Sequence, residues 1–136
     1  FDAHDVAEQV QEYKQHEWNS IRFKVLGKIR DDSVKWAQSR GSHYFVADCD
    51  NFIKRDVIQT LIDTQLPIVA PFLRQHEAVT SYSNYHSHID NNGYFVSDPL
   101  YYQIFRQEVK GLIEVPVVHC TYLIRREFLP LISYDD

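Results

Sequence analysis

Trp18, Ile21, Val25, Ile29 and Trp36 follow one another at intervals of three, four or seven residues. That spacing lines them along one side of a helix and predicts an amphipathic helix over residues 18–39, its apolar stripe lying against a sheet. Asn19 or Ser20 can cap its start, and Arg40-Gly41 closes it. Gly27 inside it costs about 1 kcal/mol relative to Ala and so marks close packing. Shorter helices are expected over 5–15, where Val6, Val10 and Tyr13 share a face, and over 56–65, where Val57, Leu61 and Ile62 turn inward behind Asp56.

Elsewhere the pattern is that of strands. Residues 43–47 form a continuous apolar and aromatic run. Residues 66–73 read as a short strand framed by Pro67 and Pro71, the second of which makes its end an edge or a bend. Asp90-Asn91-Asn92-Gly93 is a turn, and Tyr94-Phe95-Val96 leaves it as a strand, a hairpin pattern. Residues 113–124 are a further strand with Pro116 near its start. Residues 74–79 read as an exposed loop, 99–110 stay open between helix and irregular structure up to Gly111, and Arg125-Arg126-Glu127 begin a short helix. Helix, strand, acidic turn, helix is an α/β order.

With 136 residues and 44% hydrophobic content, the chain can bury one core, so residues 1–136 are read as a single domain. A formal charge of −5 argues against a nucleic-acid surface. Arg22, Lys24, Lys28, Arg30, Lys35 and Arg40 make the first long helix locally basic, which reads first as a solvated face. Cys49 and Cys120 form no disulfide framework and read as small buried hydrophobes. There is neither a membrane-spanning apolar segment nor a signal peptide at the start, and the lack of any Met implies that the sequence begins inside a larger product. A soluble protein is expected, and the composition leaves open the cytoplasm or the secretory-pathway lumen.

The chemistry gathers where the strand 43–47 ends. Asp48 and Asp50 stand two residues apart at its carboxyl end, followed by Asn51. Two desolvated carboxylates repel each other unless a counter-charge joins them, and oxygen donors suit Mg²⁺ or Mn²⁺. A solvated turn or a helix cap is the bland alternative for such a tripeptide. Residues 80–88 alternate hydroxyl, aromatic and imidazole groups, the composition of a sugar-binding surface. His86-x-His88 lacks a third ligand nearby in sequence, which disfavours zinc. His119, alone in an apolar run, is either a core histidine or a functional one.

Six motifs stand in one order along residues 16–126: WNSIRF, FVADCDNFI, PIVAPFL, YSNY, NGYF and VPVVHCTYLIRR. Together they resemble the glycosyltransferase domain of the collagen hydroxylysine galactosyltransferase family and, more distantly, the glycosyltransferase-like domains of procollagen lysyl hydroxylases. The resemblance implies a GT-A architecture with a Rossmann-like mixed sheet flanked by helices, here incomplete at both ends. It also implies hexose transfer from a UDP-sugar donor to a hydroxyl-bearing acceptor, of the hydroxylysine kind and so carried on a protein, with Mn²⁺ (or Mg²⁺) bridging the diphosphate. By matching motif positions, Asp48 and Asp50 become the metal and nucleotide-sugar carboxylates with Asn51 beside them, Arg22 meets the donor, and Tyr82, Ser83 and Asn84 belong to the sugar or acceptor pocket. His119 matches a histidine in the same strand of the galactosyltransferases. Cys49 replaces the family's usual small residue, and no catalytic base is identifiable. Two other readings stand beside this one: a non-catalytic glycosyltransferase-like binding or scaffold module, and a phosphatase in which Asp48 is the nucleophile and Asp50 the general acid.

Overall fold

The longest apolar stripe produces the longest element of the computed structural model, which describes residues 20–74 and 82–134. Helix α1 runs Ser20–Ser39. The helix expected over 5–15, the opening of the one over 18–39 and most of the loop over 74–79 lie outside the described residues. The chain divides into two compact units, Phe1–Tyr44 with Arg125–Asp136, and Phe45–Ile124.

In the first unit, α1 buries Asp31, Val34 and Ala37. The expected stripe through Trp36 is therefore displaced: Trp36 is 63% exposed, and the Arg40 guanidinium lies 5.2 Å from its ring centroid. A flat ring covered by a cation loses less by staying at the surface than an aliphatic side chain would. Asp31 is buried on an ion pair with Lys35, four residues on along the helix. Gly27 does mark a close approach, since a Cβ there would fall 2.8 Å from the Tyr134 carbonyl oxygen. The short helix expected at 125–127 forms later, as a 3₁₀ turn at Leu129–Leu131 that packs on α1 with Leu129 fully buried.

The second unit carries the sheets. Strand β1 (Tyr44–Ala47) runs to the acidic turn, α2 (Val57–Asp63) follows, and β2 (Ile68–Val69) is shorter than the apolar run between the prolines. Strands β3 (Tyr85–His86) and β4 (Val117–Val118) pair antiparallel, Tyr85 with Val118 and His86 with Val117. Strand β5 (Thr121–Ile124) lies at the centre of a three-stranded sheet of order β1-β5-β2, with Ile68 opposite Ile124 and Val69 opposite Leu123. The edge position of β2 agrees with its prolines.

Two small cores hold these strands. Leu61, Val69 and Leu123 pack with Phe45, Val57 and Ile62 around the three-stranded sheet. Tyr85, Tyr101 and Ile104 pack with Phe72, Leu100, Ile113, Val115 and Val118 around the other. Helix α3 (Pro99–Phe105) resolves the ambiguous stretch, because Asp98 accepts from Tyr101 N–H as its N-cap and Pro99 stands at its first turn. The hairpin exists as one bridge, Ile89 to Phe95, around Gly93 at φ +82°. The molecule is thus α/β with small sheets. The single strand expected over 113–124 is broken at His119-Cys120, and the break lets one stretch of chain serve both sheets.

Candidate functional site

The carboxylates leaving β1 enter a hydrogen-bonded turn. Asn51 N–H donates to the Asp48 carbonyl at 3.0 Å, and Asp48 N–H donates to the Cys120 carbonyl at 3.0 Å. Asn51 Nδ2 donates to Thr121 Oγ1 at 2.7 Å, and Thr121 is fully buried. Both ends of the turn are tied in this way to successive residues of the β4–β5 connection. Asp48 is half-buried, while Cys49 and Asp50 are exposed at the tip. Cys49 is not the buried hydrophobe expected, because the apolar run ends before it; Cys120 is half-buried.

The opposite connection is equally constrained. Thr121 N–H donates back to the His119 carbonyl at 2.6 Å, with Cys120 between them at φ +61°. This is a three-residue turn in a region that costs a non-glycine residue roughly 1–3 kcal/mol. It carries His119 to the mouth of the acidic turn. His119 Nδ1 contacts Cys120 Sγ at 2.9 Å, the Tyr82 ring lies 5.7 Å away between centroids, and His119 Nε2 is buried without a hydrogen-bond partner among the described residues. Burial lowers the pKa of His119, the neighbouring His86 lowers it further, and the charge of Asp48 opposes both. The net shift favours the neutral imidazole. Burial, then Cys120, raises the Tyr82 phenol.

Ser83 and Asn84 lie beneath this arrangement, 4% and 2% exposed. Asn84 Nδ2 donates to the carbonyls of Pro71 (2.9 Å) and Thr121 (3.3 Å), and its Oδ1 accepts from Leu73 N–H (3.0 Å). Its own carbonyl accepts from His119 N–H at 3.0 Å. Ser83 Oγ donates to the Leu73 carbonyl at 2.7 Å, and Ser83 N–H donates to the Tyr101 hydroxyl at 3.0 Å. Their polar side-chain atoms are spent on the scaffold under His119. Tyr82, 55% exposed, is the member of the Tyr-Ser-Asn stretch that faces outward. Arg22 stands on α1 in the first unit, and the geometry just described is built without it.

Sequence reasoning passed over Thr121, the turn that Cys120 makes and the pairing of His86 with His119. A trace of the first two was visible: His-Cys-Thr interrupts an otherwise apolar run. Nothing in the spacing ties residue 86 to residue 119. Among the described residues no group of three or more His, Cys, Asp or Glu is gathered for a metal ion. Two carboxylates suit Mg²⁺ or Mn²⁺, which complete their octahedra with water and phosphate oxygens, and do not suit a protein-enclosed zinc site. A cavity of about 360 Å³ between Phe23, Lys24, Asp31 and Tyr134 belongs to the first unit, and its Lys28–Asp32 and Lys35–Asp31 pairs neutralise each other.

Residues 2–128 match the family model described as "Glycosyltransferase family 25, N-terminal domain". Over 109 residues, 79% of the chain, 37% are identical to procollagen galactosyltransferase 1 of Danio rerio. Over the same share, 34% are identical to procollagen galactosyltransferase 2 of Homo sapiens and 33% to "Inactive glycosyltransferase 25 family member 3" of Mus musculus. The chain spans only 17–18% of the length of these relatives. The family model covers nearly all of the sequence, the six motifs fall within it, and the chain therefore belongs to glycosyltransferase family 25, matching its N-terminal domain.

Proposed function

We propose that this chain holds the nucleotide-sugar site of a metal-dependent hexosyltransferase of GT-A type, in one domain, that moves a hexose from a UDP-sugar to a hydroxyl acceptor. The carrying observation is the acidic turn clamped at both ends to the β4–β5 connection, with Asp50 exposed at its tip. Ligand carboxylates must keep their positions when the ligand departs, and the bonds from Asp48 N–H and Asn51 Nδ2 provide that rigidity. Asp48 and Asp50 would hold Mn²⁺ or Mg²⁺, which as a Lewis acid supplies positive charge to the departing diphosphate. Neutral His119 beside Asp48 adds no positive charge that would repel the ion, and the Tyr82 ring offers an apolar face to a sugar. The procollagen galactosyltransferase relatives support galactose as donor sugar and a protein hydroxyl as acceptor. Arg22 is kept as a candidate donor contact on the motif match alone.

A second reading rests on one observation, the 33% identity to a relative named inactive. In that case the fold persists as a binding or scaffold module. Electron paramagnetic resonance separates the two. Free Mn²⁺ gives a six-line signal that shrinks on capture; the proposal expects capture by the protein with UDP, and retention of the free signal for Asp50→Asn. A signal unchanged by protein and UDP together supports the module.

A further inference from the structure

The acidic turn accounts for His119 through its neighbour Asp48, but it leaves His86 without a task. His86 Nδ1 and His119 Nε2 are both buried and both lack a hydrogen-bond partner among the described residues. Their rings meet edge to face with centroids 5.3 Å apart. A buried polar atom left unpaired costs about 1–3 kcal/mol, and two in contacting rings need an explanation. The surrounding rings narrow it. Tyr82 flanks His119 at 5.7 Å and Phe95 flanks His86 at 5.3 Å, edge to face. Tyr82 and Phe95 are 55% and 42% exposed, so the pair sits under two aromatic rings that reach solvent.

The chemistry of that box is specific. A neutral imidazole presents one donor and one acceptor, so two of them offer complementary partners to a group that both donates and accepts. Hydroxyls do so, and aromatic rings take the C–H faces of a sugar ring. Metal capture fits poorly, since the pair belongs to no group of three or more ligands among the described residues.

We propose that His86 and His119, between the rings of Tyr82 and Phe95, form the subsite for the transferred hexose, with His86 Nδ1 bonded to one of its hydroxyls. This rests on the UDP-sugar reading above and names the residues that tell hexose from bare nucleotide. Both nitrogens are covered in the free protein, so Tyr82 or Phe95 turns aside as the sugar enters. Side-chain movement of that size is common on binding. Burial lowers the pKa of His86, which favours the neutral form that the pairing uses.

The test compares UDP-galactose with UDP, each titrated into the whole chain with Mg²⁺, while long-range ¹H–¹⁵N spectra follow the imidazole nitrogens. UDP-galactose should shift His86 Nδ1 and His119 Nε2, and UDP should leave His86 unmoved. His86→Phe keeps the ring contacts and removes the nitrogens; it should cut the affinity advantage of UDP-galactose over UDP about ten-fold, the worth of one hydrogen bond, and leave UDP binding unchanged. His86→Asn, which retains a polar atom near the Nδ1 position, should restore most of it. An unshifted His86 in a chain that binds UDP-galactose overturns the inference, as does a shift caused by Mg²⁺ alone, which would make the pair a metal site. If UDP itself fails to bind, the nucleotide-sugar reading falls and takes this subsite with it. The spectra of the unmutated chain decide the matter even where a variant fails to fold.

Discussion

Asn84 shows what one residue can hold together. Its side chain bonds to Pro71, Leu73 and Thr121, and its carbonyl fixes His119. Asn84→Ala should cost about 3 kcal/mol, because it strands several buried backbone groups at once; a fall in the urea midpoint at unchanged slope reports it, and a loss within 0.5 kcal/mol would contradict the scaffold role. The two imidazoles make a separate prediction. Burial holds His86 and His119 below the ordinary value of about 6.5, so between the lowered value and 6.5 the unfolded chain binds more protons than the folded one. Stability must then rise with pH through that window and fall on acidification below about 6.5. Asp48 opposes part of the effect at His119. Asp98, lowered by its bond from Ser87, and Glu127, lowered to about 2 beside Arg125, act in a more acidic range and so leave this window to the histidines. Urea midpoints measured from neutral to mildly acid pH should slope downward, and His86→Phe with His119→Phe should flatten the slope; an unchanged slope in the double variant would contradict the assignment.

At the scale of elements, two aspartates at helix starts make a matched comparison. Asp98 Oδ1 accepts from Tyr101 N–H (3.0 Å) and from Ser87 Oγ (2.5 Å), so Asp98→Ala should lower stability by about 1–2 kcal/mol. Asp56 precedes α2 with helical dihedrals and makes no side-chain cap bond, so Asp56→Ala should stay within about 0.5 kcal/mol of the parent. Equal losses at the two sites, measured by denaturant titration, would refute the distinction. The same contrast explains what the sequence could reveal. Local signals were legible: α1 from its periodicity, β1 from its apolar run, the turn at Asp90-Asn91-Asn92-Gly93, and Asp48 with Asp50 at the end of a strand. Signals depending on distant partners were not. Asn51 reaches Thr121 across 70 positions, and the break at His119-Cys120 follows from one segment having to pair in two sheets. The inward stripe of α1 was misjudged because Trp36 finds cover from Arg40 at the surface.

At the scale of the molecule, the proposed function comes down to one turn. The match to the N-terminal domain of glycosyltransferase family 25 places the chain in that family, and some relatives at similar identity are named inactive. Overall likeness therefore cannot separate a donor site from a retained scaffold; a binding measurement at the acidic turn can. Among the described residues, no helix is long and apolar enough to cross a membrane. The central claim is that Asp48 and Asp50 bind a nucleotide diphosphate through a divalent cation. The most direct measurement is calorimetric titration of UDP into the chain with and without Mn²⁺, repeated on Asp48→Asn/Asp50→Asn. Binding that needs Mn²⁺ and is lost in the double variant is the predicted result; UDP binding that ignores both the ion and the two carboxylates, or no binding at all, would contradict it.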